Sequence, residues 1–422
     1  MEPREKLSAL RKDIDALDAD LTRLFLKRMA ASERIADAKA EGNIAITDEA
    51  REQQVLDSAA ALAGDGLKPE TLAFARTLIS LSKLRQKRRL IPVEAVTFPG
   101  AAPRKQDGVT VAYQGVPGAW GEHAALQCFP GAERGNYDYF EDVFEAVKSG
   151  KADYGVLPIE NSQTGAIGEV YGLLRAHGCY IVAQIWITVA QCLLAAKGTA
   201  ISDIREVFSH PEGFSQCRRY LKNRNWDLSA CRNTAYAAQM VAEKSGNKHA
   251  AIGSRRAAEV YGLSVLAPDI MDDANNKTRF IAIAAQPSYD EASDTTSVMF
   301  STAHRSGALC SVLQAFMLAG INLSRIESRP VSADKYRFFA DLQANLMSGT
   351  AMDALRQAAM SCEYFEILGC SRTLHEKPIQ FGGGEQGGAA QGGVAQGGMA
   401  QGAQGDGAQS AQGGGAQGAQ RA

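Results

Sequence analysis

The sequence predicts a multidomain chain: an all-α segment over residues 1–90, an α/β domain over 109–287 and an α+β module over 295–372. Three observations predict it. Apolar residues recur every three or four positions through the first ninety residues, the spacing of one helix face. From Val109 onward, short runs rich in Val and Ile alternate with helical segments, the texture of an α/β sheet. From Thr296 the order becomes strand, helix, two strands, helix and strand, which is the ferredoxin-like pattern. At 422 residues the chain exceeds a single hydrophobic core, so several domains are expected.

In the first segment Leu7, Leu10, Ile14, Leu17, Leu21, Leu24 and Phe25 begin a stripe that continues to Ile35 and Ala38. Gly42-Asn43 ends that helix. Thr47 or Asp48 can cap a second helix, and Pro69 with Glu70 opens a third, which runs to the basic end Lys83–Arg89. Residues 91–108 carry three prolines and no periodicity, so a linker is expected. Strands follow at Val109–Tyr113, Tyr154–Ile159 and Tyr180–Val189, with helices around Ser215–Leu221 and Thr234–Lys244. After Phe381 the chain is almost entirely Gly, Ala and Gln. Residues 382–422 cannot bury a core and are predicted to be disordered. Gly382, Gly384 and Gly387 match a dinucleotide-binding spacing, but neither a strand before them nor a helix after them is expected.

The net charge of −2 gives no general attraction to nucleic acid or to anionic membranes. The most apolar stretch, Tyr180–Ala196, contains Gln184 and Gln191 and reads as buried strand, not as a membrane span. The N-terminus has no apolar run behind a basic start, and a cytoplasmic protein is expected. Eight cysteines occur without a Cys-x-x-Cys pair, and six histidines are scattered. Reduced, packed thiols are expected, with no metal and no cofactor.

Several charges sit where a helical core would not choose them. Arg28 and Lys39 lie within about 20° of each other around the first helix and about 16 Å apart along it, so both can clasp one dianion. Arg11 is about 100° away and about 25 Å distant, so it can join that site only from a second subunit. Ser82 and Gln86 continue the stripe set by Ala75, Leu78 and Ile79, while Asp48, Arg51 and Glu52 cluster at the start of the second helix. Singly, each has an ordinary reading as surface charge, cap or helix-end hydrogen bond.

Together, Leu10-Arg11, Ile14, Leu17-Asp18, Arg28, Ala38-Lys39, Asp48, Arg51-Glu52, Ser82 and Gln86 resemble the all-helical chorismate mutase family. The resemblance implies an intertwined dimer, each site lined by Arg28, Lys39, Asp48, Arg51, Glu52, Ser82 and Gln86, with Arg11 from the partner. A Claisen rearrangement needs a folded substrate and stabilised charge on its ether oxygen. The arginines suit carboxylates, and Lys39 and Gln86 suit the ether oxygen.

In the α/β domain four segments stand out: Gly115–Gly121 as a Gly-rich turn into a helix, Pro158-Ile-Glu-Asn-Ser162 after a strand, Ser209-His-Pro-Glu212 with Gln216-Cys217, and Asn275–Phe280. The turn can present N–H groups to an anion, or be a plain tight turn. In order, and with Ala251–Ser254 and Tyr261-Gly-Leu, these segments resemble the prephenate dehydratase family over 109–285. One departure is Glu212, where the family usually has Gln. The resemblance implies two lobes around a cleft, like a bacterial solute-binding protein, and a site built from Glu160, Asn161, Ser162, Asn276, Thr278, Arg279 and Phe280. Thr278 is the essential residue it nominates, read here as a hydrogen-bond donor to the departing hydroxyl. Glu160 is the alternative acid, and Arg279 suits a carboxylate.

In the last module Gly307-Ala-Leu309-Cys and Glu327-Ser328-Arg329-Pro330 resemble the amino-acid-binding ACT domains. The resemblance implies phenylalanine bound between subunits by Gly307, Ala308, Leu309, Glu327, Ser328, Arg329 and Pro330, acting as feedback inhibitor. A purely structural dimerisation module is the alternative. Taken together, a homodimer or larger homo-oligomer is expected that converts chorismate to prephenate and prephenate to phenylpyruvate, with no nucleic-acid or membrane partner. Arogenate is the rival substrate, and a non-catalytic binding protein is the rival class.

Overall fold

The computed structural model describes residues 3–64, 66–90, 98–102, 105, 107–244, 246–332 and 334–377. The low-complexity stretch 382–422 and the start of the expected linker, 91–97, lie outside the described residues.

The N-terminal segment forms three helices, α1 (Pro3–Glu41), α2 (Glu49–Ala63) and α3 (Lys68–Leu90). Asn43, at a positive φ of 50°, helps end α1, as expected for a residue that tolerates the left-handed region. Asp48, not Thr47, caps α2: its Oδ1 accepts from Arg51 N at 3.0 Å. α3 packs on both other helices, with Arg85–Glu33 and Arg89–Asp37 ion pairs along the α1 seam. The apolar stripe of α1 stays uncovered by its own chain. Leu10 is 53% exposed, Leu17 57% and Leu24 62%.

The first lobe contains β1 (Thr110–Gln114), α4 (Trp120–Cys128), β2 (Glu133–Tyr137), α5 (Phe140–Lys148), β3 (Tyr154–Asn161), β4 (Gly165–Ala166), α6 (Gly168–His177) and β5 (Tyr180–Thr188). The chain then crosses to a second lobe of β6 (Cys192–Ala195), β7 (Glu206–Ser209), α7 (Pro211–Gln216), α8 (Arg218–Leu221), β8 (Asp227–Ala230), α9 (Thr234–Glu243), β9 (His249–Gly253), α10 (Arg255–Val260) and β10 (Ser264–Ala267). Its sheet has the order β10-β6-β9-β7-β8. Strand β11 (Lys277–Ala284) returns to the first lobe and lies antiparallel between β3 and β5. The single helix expected over 215–221 is broken at Cys217, which separates α7 from α8.

The C-terminal module has the expected βαββαβ order: β12 (Thr295–Ser301), α11 (Ala308–Leu318), β13 (Leu323–Ser332), β14 (Lys335–Leu342), α12 (Gly349–Ala359) and β15 (Tyr364–Leu374). Its last strand is longer than expected. Beyond residue 371, β15 pairs in parallel with β5, Arg372 opposite Ala183. The two sheets thereby fuse into one of ten strands, ordered β13-β14-β12-β15-β5-β11-β3-β1-β2 with β4 on β3. One hydrophobic cluster accordingly takes Leu157, Val170 and Ile281 from the first lobe and Met299, Phe339 and Leu368 from the module. The described end of the linker is anchored too: Phe98 packs edge-on against Tyr180 at 5.5 Å between ring centroids, and Ala102 N donates to Pro287 O.

Candidate active sites

In the helical domain α1 and α3 bring Arg28 against Ser82. One guanidinium nitrogen, Nη1, donates to Ser82 Oγ and, at 2.8 Å, to Leu78 O. Burial lowers the pKa of Arg28 from its ordinary value, the response of a cation removed from water. Gln86 lies one turn further along α3, buried, with its Oε1 unpartnered among the described residues. Lys39 donates to Ile46 O at 2.6 Å, and Arg51 reaches Gln54 Oε1 at 3.1 Å. Glu52 is paired with Lys83, the first residue of the basic end of α3, at 2.9 Å. Arg11 is exposed on α1 with no side-chain partner among the described residues. Within one chain Arg28 meets Ser82, with Gln86 one turn further along α3, whereas the contacts of Lys39, Asp48 and Arg51 stay local and Arg11 stands apart.

Between the two α/β lobes lies a cleft of about 380 Å³. The first lobe lines it with Gln114, Trp120, Asn161, Thr278 and Phe280, the second with His210, Glu212, Gln216, Arg232 and Thr234. Gln216 is buried and accepts from Gln191 at 3.1 Å. Strands β3 and β11 hold Thr278 opposite Asn161. Asn161 Oδ1 accepts from the backbone N–H groups of Gln163 (2.9 Å) and Thr164 (3.1 Å). That fixes the oxygen as the acceptor end, so Nδ2 must be the donor. It donates to Asn276 Oδ1 at 2.8 Å and to Thr278 Oγ1 at 3.0 Å. With its oxygen already accepting, the Thr278 hydroxyl is left to donate its own hydrogen.

Four predicted residues fall outside the cleft lining. Side chains alternate faces along a strand, so Arg279 and Glu160 point away from Thr278 and Asn161. Arg279 instead meets Asp341 at 2.7 Å, Gln184 at 3.0 Å and Glu160 at 3.0 Å. Burial pulls its pKa down, but Asp341, Tyr171 and Glu160 together outweigh this and hold it above the ordinary value. Glu160 also meets Arg325 at 3.0 Å and cannot reach a hydroxyl leaving in the cleft. Asn276 is fully buried behind Asn161, and Ser162 Oγ accepts from Lys277 N at 3.0 Å, closing the turn.

The Gly-rich turn packs the two lobes together and, through Gly115 and Gly121, also lines the cleft. Gly118 N–H donates to the protein's own Glu122 carboxylate at 2.7 Å. At φ +86°, Gly118 lies so close to Ala257 in the second lobe that an added Cβ would sit 2.8 Å from its Cα. Arg232, missed in the sequence, is the one permanent cation among the described residues lining the cleft. It pairs with Asp138 of the first lobe at 3.0 Å.

In the C-terminal module Gly307, at φ +78°, precedes α11. Glu327 and Arg329 lie on edge strand β13, paired at 2.7 Å. Among the described residues no hydrogen bond or ion pair joins Gly307–Leu309 to Glu327–Pro330.

Comparison with known proteins agrees with this division. The prephenate dehydratase family matches residues 111–288, and chorismate mutase type II matches residues 10–87. An Arabidopsis thaliana relative named arogenate dehydratase/prephenate dehydratase 2 is 38% identical over 62% of this chain and 72% of its own length. The bifunctional chorismate mutase/prephenate dehydratase of Escherichia coli is 29% identical over 90% of this chain and 99% of its own. The structure of an Arthrobacter aurescens prephenate dehydratase in complex with L-Phe superposes with a TM-score of 0.57 and 30% identity, covering 63% of this chain and 90% of that one. The chain thus belongs to the prephenate dehydratase family and carries a type II chorismate mutase domain ahead of it, the arrangement of the bifunctional enzyme.

Proposed function

We propose that this chain rearranges chorismate to prephenate in its helical domain and converts prephenate to phenylpyruvate in the inter-lobe cleft, under feedback control by phenylalanine. The Asn161–Thr278 pair carries the second assignment. Loss of carbon dioxide and aromatisation of the ring drive that reaction, so the protein must mainly help hydroxide depart. A hydroxyl whose oxygen is already occupied and whose hydrogen is free suits this task. We assign a substrate carboxylate to Arg232 and not to Arg279, because Arg232 lines the cleft and Arg279 does not. Prephenate is preferred to arogenate as substrate because the chain's own first domain supplies it.

For the mutase, Arg28 and Lys39 bind from one chain and Arg11 from a partner, which also covers the exposed stripe of α1. A homodimer or larger homo-oligomer follows. The βαββαβ module is read as an ACT domain. With Gly307–Leu309 and Glu327–Pro330 unjoined in one chain, its ligand is held between subunits. The eight unbridged cysteines fit a reducing, cytoplasmic setting. The test is to feed chorismate to the full chain and follow prephenate and phenylpyruvate, with and without phenylalanine. Appearance of both products, suppressed by phenylalanine, is the expected result; no consumption of chorismate or prephenate rejects it.

A further inference from the structure

Behind the cleft, on the opposite face of β3 and β11, six ionised side chains form one network, three of each sign. Arg279 meets Glu160 and Asp341 at 3.0 and 2.7 Å. Arg325 meets Glu160 at 3.0 Å and Asp341 at 3.9 Å, and also pairs with Glu327. Arg329 meets Glu327 at 2.7 Å and donates to Ala166 O at 2.8 Å. The centre is buried: the Arg279 and Asp341 side chains are each 7% exposed. Ser297 Oγ donates to the other oxygen of Asp341 at 2.6 Å, fixing the carboxylate in place.

The two ends of this network matter. At one end Glu160 and Arg279 are the chain neighbours of Asn161 and Thr278. They pair across β3 and β11 in the same register, just before a register shift at Arg279/Phe280. At the other end Glu327 and Arg329 belong to the motif read above as holding phenylalanine. We propose that Arg279 is a positioning residue that links occupancy of the C-terminal module to the placement of the Thr278 hydroxyl.

The step between the ends is a redistribution of charge. A ligand ammonium drawn to Glu327 weakens that carboxylate's hold on Arg325. Arg325 then turns to Glu160 and Asp341 and competes there with Arg279. Arg279 Nε is buried without an acceptor, so the guanidinium has an unused donor with which to re-pair. Packed cores shift between discrete arrangements, and salt-bridge networks within them can carry such a shift; a small shift of β11 displaces the Thr278 hydroxyl from its partner on Asn161.

This inference rests on the phenylalanine-sensor reading, and its test separates the two. Phenylalanine is titrated calorimetrically into the full-length wild type and Arg279→Lys, with dehydratase and mutase turnover measured on the same preparations. In Arg279→Lys, phenylalanine should bind within about threefold of wild-type affinity, while saturating ligand removes less than about a fifth of the remaining dehydratase activity. Basal dehydratase kcat should fall more than KM rises, and mutase turnover reports folding. Should Arg279→Lys fold poorly, Arg279→Gln with Asp341→Asn removes one charge of each sign and is expected to lose inhibition in the same way. An Arg279→Lys enzyme inhibited to the wild-type extent overturns the relay. Loss of phenylalanine binding in that variant also overturns it, by placing Arg279 in the ligand site. A wild type that binds no phenylalanine removes the sensor reading and the relay together.

Discussion

The helical domain and the two-lobed domain build their sites in opposite ways. In the helices, Arg28, Lys39, Ser82 and Gln86 come from one chain, yet Arg11 points into solvent and the α1 stripe is uncovered. In the cleft, both walls come from one chain, and Asn161 already holds Thr278 in position. A long helix that cannot fold back on itself leaves Arg11 far from Arg28 and Lys39, whereas two crossings between lobes supply both walls of the cleft. The proposed mutase site therefore depends on assembly, and the proposed dehydratase site does not.

Four substitutions sharpen that contrast, in order of expected effect. Thr278→Ala removes the proposed donor to the departing hydroxyl and should lower dehydratase kcat by about 10²–10³-fold with mutase turnover intact. Loss of both activities in a steady-state assay would instead mark a folding defect. Lys39→Ala removes a proposed donor to the ether oxygen, and mutase kcat should fall by about 10²-fold with little change in KM. A change confined to KM would break that role. For Arg232→Gln the expected outcome is a rise of about tenfold or more in KM for prephenate, the cost of a lost charge-assisted hydrogen bond; an unchanged KM removes Arg232 from the substrate's carboxylate. Glu212→Gln takes a carboxylate out of a cleft for a dianion. Its KM for prephenate should fall only about two- to threefold, and less at high salt. A rise in KM would show that Glu212 supports binding.

The fold is legible in the sequence wherever a period is strong. The stripe Leu7–Ala38 and the alternating runs from Val109 give the helices and strands nearly to their ends. The join between β15 and β5 has no local signal, because the pairing strands lie nearly two hundred residues apart in the chain. In the cleft, Asn161, Thr278 and Phe280 are legible from their motifs. Glu160 and Arg279 stand beside them in the same motifs, yet the two-residue period of a strand turns them to the other face. That period is visible in Asn275–Phe280 itself. Arg232 is different: nothing around Cys231-Arg232-Asn233 signals a ligand, and only the packing of the second lobe against Asp138 brings it to the cleft.

Mixing two inactive mutase chains tests the central contrast most directly. Arg11→Ala and Lys39→Ala chains are unfolded together, refolded as a one-to-one mixture, and assayed for chorismate turnover. If Arg11 crosses to the partner, half of the dimers are mixed and each carries one intact site, so activity returns to about a quarter of wild type. Dehydratase turnover should be near wild type in either chain and in the mixture. A mixture no more active on chorismate than its parents would contradict the account, because it would place Arg11 and Lys39 in the site of the same chain.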